Sequence, residues 1–193
     1  MQIGRYETGR VLGQGGMGTV HEATHSLTGK RVALKLLRPE VVAVPGVLQR
    51  FLNEARAACA VEHPNVVQVF DVDAEHGQAY MVIEFLEGED FEAYLEREGP
   101  IDAATLLEIA APLLDALQKA HEQGVVHRDI KAENVFLAQS SGQVVPKLLD
   151  FGIAKLLDGE QSQTATGHMI GTPSYFAPEY AEGMKSTHPR GDV

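Results

Sequence analysis

His127-Arg128-Asp129-Ile130-Lys131-Ala132-Glu133-Asn134, followed after a hydrophobic run by Asp150-Phe151-Gly152, is the stretch that decides how this chain reads. Asn134 and Asp150 offer an amide and a carboxylate oxygen, and they bracket a short predicted hairpin. Mg²⁺ takes a few such hard oxygen ligands and fills the rest of its shell with water and substrate phosphates. Asp129 lies in the same loop as Asn134 and can face an incoming hydroxyl.

Working outward from that loop, the region before it reads as helix. Residues 91–98 form a short predicted helix and residues 102–123 a long one, with Asp102 as its N-cap. The first third of the chain alternates in the manner of a sheet. Strands are predicted over 5–12, 19–25 and 30–36, joined by hairpins, and again over 66–72 and 78–85. Between them, Val47, Leu48, Phe51, Leu52, Ala55 and Ala58 recur at helical spacing. Pro64 ends that helix by removing a backbone donor. After Asp150, residues 157–171 are rich in Gly, Ser, Thr and Gln and read as a mobile loop.

Two further motifs fall on the strands. Gly13-Gln14-Gly15-Gly16-Met17-Gly18-Thr19-Val20 has the G-x-G-x-x-G-x-V spacing, in which bare backbone amides can approach phosphates. The spacing alone also marks dinucleotide folds, but those need a helix directly after the glycines, and here a β-prone run follows. In Val32-Ala33-Leu34-Lys35, Ala33 and Lys35 share one strand face, where the lysine could meet phosphate oxygens or simply be solvated. Glu54, among the polar positions of the predicted helix, is a candidate partner for Lys35.

Composition sets the outer bounds. The 193 residues are 44% hydrophobic and 22% charged, ordinary for a globular chain of about one domain. The formal net charge of −11 argues against a nucleic-acid partner, which demands a basic footprint. A single cysteine excludes an internal disulfide framework and a cysteine-based zinc site; Cys59 is expected in the core. With no apolar signal core at the start and no long apolar run, a cytoplasmic location without a membrane segment is expected.

Taken together, the glycine loop, Val32-Ala33-Leu34-Lys35, His127-Arg128-Asp129 with Asn134, Asp150-Phe151-Gly152 and Ala177-Pro178-Glu179 stand in the order of the eukaryotic-type (Hanks-type) serine/threonine protein kinases. The chain resembles that family along nearly its whole length. Gly16-Met17 and residues 149–155 are similar to bacterial members. The resemblance implies an α+β, bilobal fold: residues 1–86 an N-lobe of antiparallel sheet plus one main helix, residues 87–193 a mainly helical C-lobe that is incomplete. A truncated chain is therefore expected, with apolar surface of the second lobe exposed.

It also implies roles. ATP and Mg²⁺, with Mn²⁺ as a compatible substitute, are the expected cofactors. Gly13, Gly15 and Gly18 would cover the phosphates, Lys35 would bind them, and Glu54 would hold Lys35. Asp129 resembles the catalytic base or orienter, Lys131 the lysine that serine/threonine kinases place near the γ-phosphate, and Asn134 and Asp150 the metal ligands. Adenine would contact Leu12, Val20, Ala33 and Phe136, with the backbone of Glu84 and Leu86 on its edge and Ile83 as gatekeeper. Expected partners are protein substrates with Ser or Thr acceptors, and self-association for trans-autophosphorylation at Thr164 or Thr166, with Ser162 behind them; Arg128 and Lys155 would meet an added phosphate. Ala132 stands where the family commonly has proline, and Asp192 matches an anchoring acid after the Ala177-Pro178-Glu179 element. The runner-up is a truncated, non-catalytic nucleotide-binding scaffold.

Overall fold

The computed structural model describes residues 1–151 except Gly16 and His76, together with Tyr175 and residues 188–192; of Glu54 only the backbone is described. The chain divides into two units: residues 1–60 with 67–86, and residues 61–66 with 87–193.

The first unit is an antiparallel sheet of β1 (Gln2–Ile3), β2 (Tyr6–Gln14), β3 (Gly18–His25), β4 (Arg31–Leu37), β5 (Val69–Glu75) and β6 (Gln78–Glu84), in the order β1-β2-β3-β4-β6-β5. The predicted Thr28-Gly29 hairpin turn closes through His25 N–H donating to Lys30 O at 2.9 Å, with Gly29 in the left-handed region. β4 is covered on both faces, so Val32, Ala33 and Leu34 are all buried. Val32, Leu34 and Leu36 pack with Ile3, Tyr6, Ala23, Tyr80 and Val82 in one cluster. Strand alternation sends Ala33 and Lys35 to the other face.

After a short helix α1 (Pro39–Val42), α2 (Val47–Ala60) carries a buried stripe of Val47, Phe51, Ala55 and Ala58 and packs on β5. Cys59 does not join the core. It is exposed, because it lies about 100° around the helix from Ala58 and so off the stripe.

The second unit holds β7 (Gly88–Asp90), α3 (Phe91–Glu98), α4 (Ala103–Glu122), a 3₁₀ turn Ala132–Asn134, β8 (Val135–Ser140), β9 (Gln143–Leu148) and a 3₁₀ turn Pro189–Asp192. β7, β8 and β9 form a second antiparallel sheet. Ser141 and Gly142, both at positive φ, make the two-residue turn that suits a twisted hairpin. Asp102 caps α4 by accepting from Thr105 N–H at 2.8 Å, a bond that holds its carboxyl below the usual range. One side of α4 buries Ile109, Leu113, Ala116, Leu117 and Ala120 and packs on β9; Leu106, Leu107 and Leu114 are exposed.

The strand predicted over 66–72 begins later, at Val69. Residues 61–66 belong with the second unit, where Asn65 Nδ2 donates to Pro146 O at 2.7 Å, Leu148 N–H donates to Asn65 O at 2.8 Å, and Val66 bridges Leu148 in parallel. Among the described residues, no helix is long and apolar enough to cross a membrane.

Candidate active site

In the first unit the glycine motif forms the predicted hairpin. Gly13 pairs with Val20 and Gln14 with Thr19, and Gly15 N–H donates to Gly18 O at 2.9 Å to close the turn. The glycines differ in why they are glycine. A Cβ on Gly18 would run into the backbone of Leu36 on the neighbouring strand, so sheet packing alone demands a glycine there. Gly13 and Gly15 face open space, so packing gives no reason to omit a side chain. The sequence reading did not single out Arg38, whose backbone N–H donates to Met17 O at 2.9 Å and whose Nη2 donates to Gly15 O at 2.7 Å. Nothing in its sequence context marks it, because both bonds are to backbone.

Register places Val20 opposite Lys35, Lys35 opposite Met81, and Ala33 opposite Ile83. Directly paired residues share a face, so Val20, Ala33, Lys35 and Ile83 form one surface of the sheet. Leu12 is partly exposed on β2; Glu84 ends β6 and Leu86 follows it, both half-buried. Glu54 falls on α2 as predicted, but its side chain is outside the described residues.

The second unit gathers Asp129, Lys131, Asn134 and Asp150. Pairing of Val135 with Leu148, and Leu149 N–H donating to Asn134 O at 2.8 Å, holds the two ends of the β8–β9 hairpin together. Asn134 and Asp150 flank those ends. Asn134 Nδ2 donates to both Asp129 O (2.7 Å) and Asp129 Oδ2 (2.8 Å). With its nitrogen so engaged, Asn134 has its Oδ1 to offer, and a cation would use that oxygen. Among the described residues no cluster of three His, Cys, Asp or Glu side chains could hold a metal. One amide and one carboxylate oxygen are a set that fits Mg²⁺ only with phosphate oxygens completing the shell. Lys131 Nζ lies 3.8 Å from Asp129 Oδ2 and 3.7 Å from Glu133 Oε1. Phe136, on β8, is half-buried.

Two residues take backbone conformations that side chains disfavour: Arg128 in the loop (φ 66°) and Asp150 just after β9 (φ 52°). Such outliers cost about 1–3 kcal/mol each and persist only where neighbours hold them. The group holding Arg128 is Asp192. Its buried carboxylate accepts from Arg128 N–H (Oδ1, 2.6 Å) and His127 N–H (Oδ2, 2.7 Å), and meets His121 Nε2 at 2.7 Å. The expected anchoring acid therefore anchors the loop over residues 127–134.

His127 fixes the other side of the loop. Its ring is fully buried, packs tilted against buried Phe151 with centroids 4.8 Å apart, and Nε2 donates to Leu149 O at 2.7 Å. Nδ1 is then the acceptor for Asp129 N–H at 3.3 Å. Burial pushes the imidazole below its ordinary pKa, against smaller upward pulls from the Leu149 carbonyl and from Asp192, Asp150 and Asp129. Sequence reading treated His127 as one letter of a motif; its ties to Leu149 and Phe151 become visible only in three dimensions. Gly152, Lys155, Ser162, Thr164, Thr166 and the Ala177-Pro178-Glu179 element lie outside the described residues.

A six-stranded sheet with one packed helix, followed by a helical unit whose strained loop carries an aspartate beside an asparagine, is the α+β arrangement of a protein kinase fold. The protein kinase domain family matches residues 6–193, and the chain belongs to it. It is 41% identical over 184 residues to the serine/threonine-protein kinase Pkn1 of Myxococcus xanthus, covering 95% of this chain and 26% of that protein. It is 39% identical over 195 residues to the serine/threonine-protein kinase PknA of Mycobacterium tuberculosis, covering 98% and 44%. The chain thus spans less than half the length of these curated relatives. The crystal structure of the PknI kinase domain from Mycobacterium tuberculosis superposes with a TM-score of 0.78 at 27% identity, covering all of this chain and 70% of that one.

Proposed function

We propose that this chain carries the chemistry of a serine/threonine protein kinase, moving the γ-phosphate of Mg·ATP onto a protein hydroxyl. The observation that carries the proposal is the catalytic loop: an aspartate held by Asn134 and flanked by Lys131, on a strained backbone tied down by Asp192. A seryl or threonyl oxygen would bond to the γ-phosphorus as the bridging oxygen to the β-phosphorus departs with ADP. The hydroxyl proton would pass to Asp129. Because the transition state of phosphoryl transfer is loose, positioning and charge neutralisation do most of the work. Asp129 would therefore act chiefly by aiming the hydroxyl, and the Asn134 amide would keep that carboxylate from rotating away.

Lys131 would set a positive charge against the transferred phosphoryl group, and Lys35 would do the same for the α- and β-phosphates. A bound Mg²⁺ would draw charge from the phosphate oxygens, and Asn134 and Asp150 would be its protein ligands. Open space above Gly13 and Gly15 supports their reading as a phosphate cover. Val20, Ala33 and Ile83 supply an apolar surface on the Lys35 face, suited to a purine. Names of the relatives and Lys131 support serine and threonine as acceptors. Regulation by phosphorylation at Thr164 or Thr166 is part of the same proposal; mass spectrometry after incubation with Mg·ATP should find phosphate within residues 157–172.

The deciding experiment is Asp129→Ala, assayed by label transfer from ATP to a generic basic protein beside a nucleotide thermal shift. Transfer should fall at least about a hundredfold, as for a lost positioned general base, while the shift persists. Near wild-type transfer by the variant would overturn the assignment. Nucleotide binding by the parent chain without any transfer would support a scaffold instead.

A further inference from the structure

On the sheet face opposite Lys35 the first unit carries an open pocket of about 560 Å³. Three carboxylates line it from alternate positions of β5: Asp71, Asp73 and Glu75. Alternate strand residues are roughly 6.6 Å apart, so the three make an evenly spaced row. One guanidinium, Arg5, also lines the cavity, leaving an excess of negative charge. Among the described residues none of the three carboxylates forms a salt bridge; Asp71 and Asp73 accept only from the next backbone N–H, at 2.9 and 2.7 Å.

Opposite the row stand Tyr6 and Tyr80, packed edge to face at 6.4 Å. The two residues are 8% and 3% exposed, and no described residue hydrogen-bonds either hydroxyl. Gly4, in the left-handed region, keeps the space beside Tyr80 Oη open, since a Cβ there would run into that oxygen. Burial first, and then Asp73, Glu75 and Asp71, push the Tyr80 hydroxyl up to about 12, so it stays neutral and can accept a hydrogen bond. At the rim, Lys30 Nζ already lies over the Phe70 ring at 3.6 Å, a cation on an aromatic face.

Edge-strand protection explains why β5, at the end of the sheet, carries charge. It does not explain two tyrosines, 8% and 3% exposed, that line the pocket with hydroxyls that have no partner among the described residues. We infer that this cavity is a site for a linear aliphatic polyamine, whose spaced ammonium groups would lie along Asp71, Asp73 and Glu75 while one donates to Tyr80 Oη.

The test is calorimetric titration of the chain with spermidine, without nucleotide, so that its outcome is independent of phosphate transfer. We expect saturable one-to-one binding that weakens as salt is raised. The chain has no tryptophan, so a change in the absorbance of its five tyrosines can be followed on titration. Replacing the row (Asp71→Asn, Asp73→Asn, Glu75→Gln) should weaken binding at least about tenfold, as expected for several screened charge pairs. These three side chains are exposed, and an unchanged far-UV circular dichroism spectrum will show that the fold is intact. Tyr80→Phe should weaken binding several-fold and abolish most of the absorbance change. Absence of saturable binding, or equal binding by the folded triple variant, overturns the inference. So does tight binding of an arginine-rich peptide with none of spermidine, which would assign the cavity to a protein partner.

Discussion

The catalytic loop and the glycine turn are both short, both rich in expected function, and held in opposite ways. The loop over residues 127–134 is pinned by buried side chains from distant parts of its unit: Asp192 on two backbone amides, His127 on Leu149, Asn134 on Asp129. The turn over residues 13–18 is held by strand pairing, one backbone bond across it, and Arg38 from the rim. The first arrangement fixes a carboxylate against a strained backbone. The second leaves open space where side chains on Gly13 and Gly15 would stand. A loop that must aim one oxygen needs rigid buried partners, whereas a cover for phosphates needs only the absence of side chains in the right places.

The contrast is broken most severely at Asp192. Asp192→Ala leaves two buried backbone N–H groups unpaired and removes the support for Arg128 in its left-handed conformation. Denaturant unfolding should show a loss of about 3–5 kcal/mol, the range for breaking a buried charged network. On the glycine turn the comparison sharpens. Gly18→Ala forces a Cβ into the backbone of Leu36 and should cost roughly 1–3 kcal/mol by the same measurement. Gly13→Ala meets nothing, so the melt should hardly move while nucleotide affinity falls.

A gentler probe is pH. His127 is buried and its folded pKa lies below the unfolded value of about 6.5. Below 6.5 the unfolded chain takes up a proton that the folded chain refuses. Its contribution to stability is therefore complete above that pH and is lost as pH falls toward the folded value. His127→Gln should flatten this segment of the stability profile between about pH 7 and 5. The smallest effect is expected at Arg38, where Arg38→Ala removes one exposed bond to Gly15 O and should cost at most about 1 kcal/mol.

Much of this was legible in the chain because its signals are local. Hairpins at Gly13–Gly18 and Thr28-Gly29, the cap at Asp102 and the stripe on α2 each follow from residues a few positions apart. What was not legible depends on partners far off in sequence. Cys59 was expected inside because its type favours burial, but the phase of α2 turns it outward. Val66 was assigned to β5 by its apolar neighbours, yet Asn65 ties that segment to β9. Gly18 was read as a phosphate glycine, and its packing against Leu36 could not be seen without the sheet register.

Asp192 also sets an order of events in folding. Its bonds to Arg128, His127 and His121 each close a loop of more than sixty residues. Closing such a loop carries an entropy cost that local hairpins do not incur, and contacts of long sequence separation form slowly. Chains emerge from the ribosome N-terminus first. The strands of the first unit can therefore pair while the rest is still being made. The loop that bears Asp129 can acquire its final backbone only after Asp192 has been synthesised and has docked. The backbone around Asp129 is thus set by a contact that local pairing in the first unit does not need.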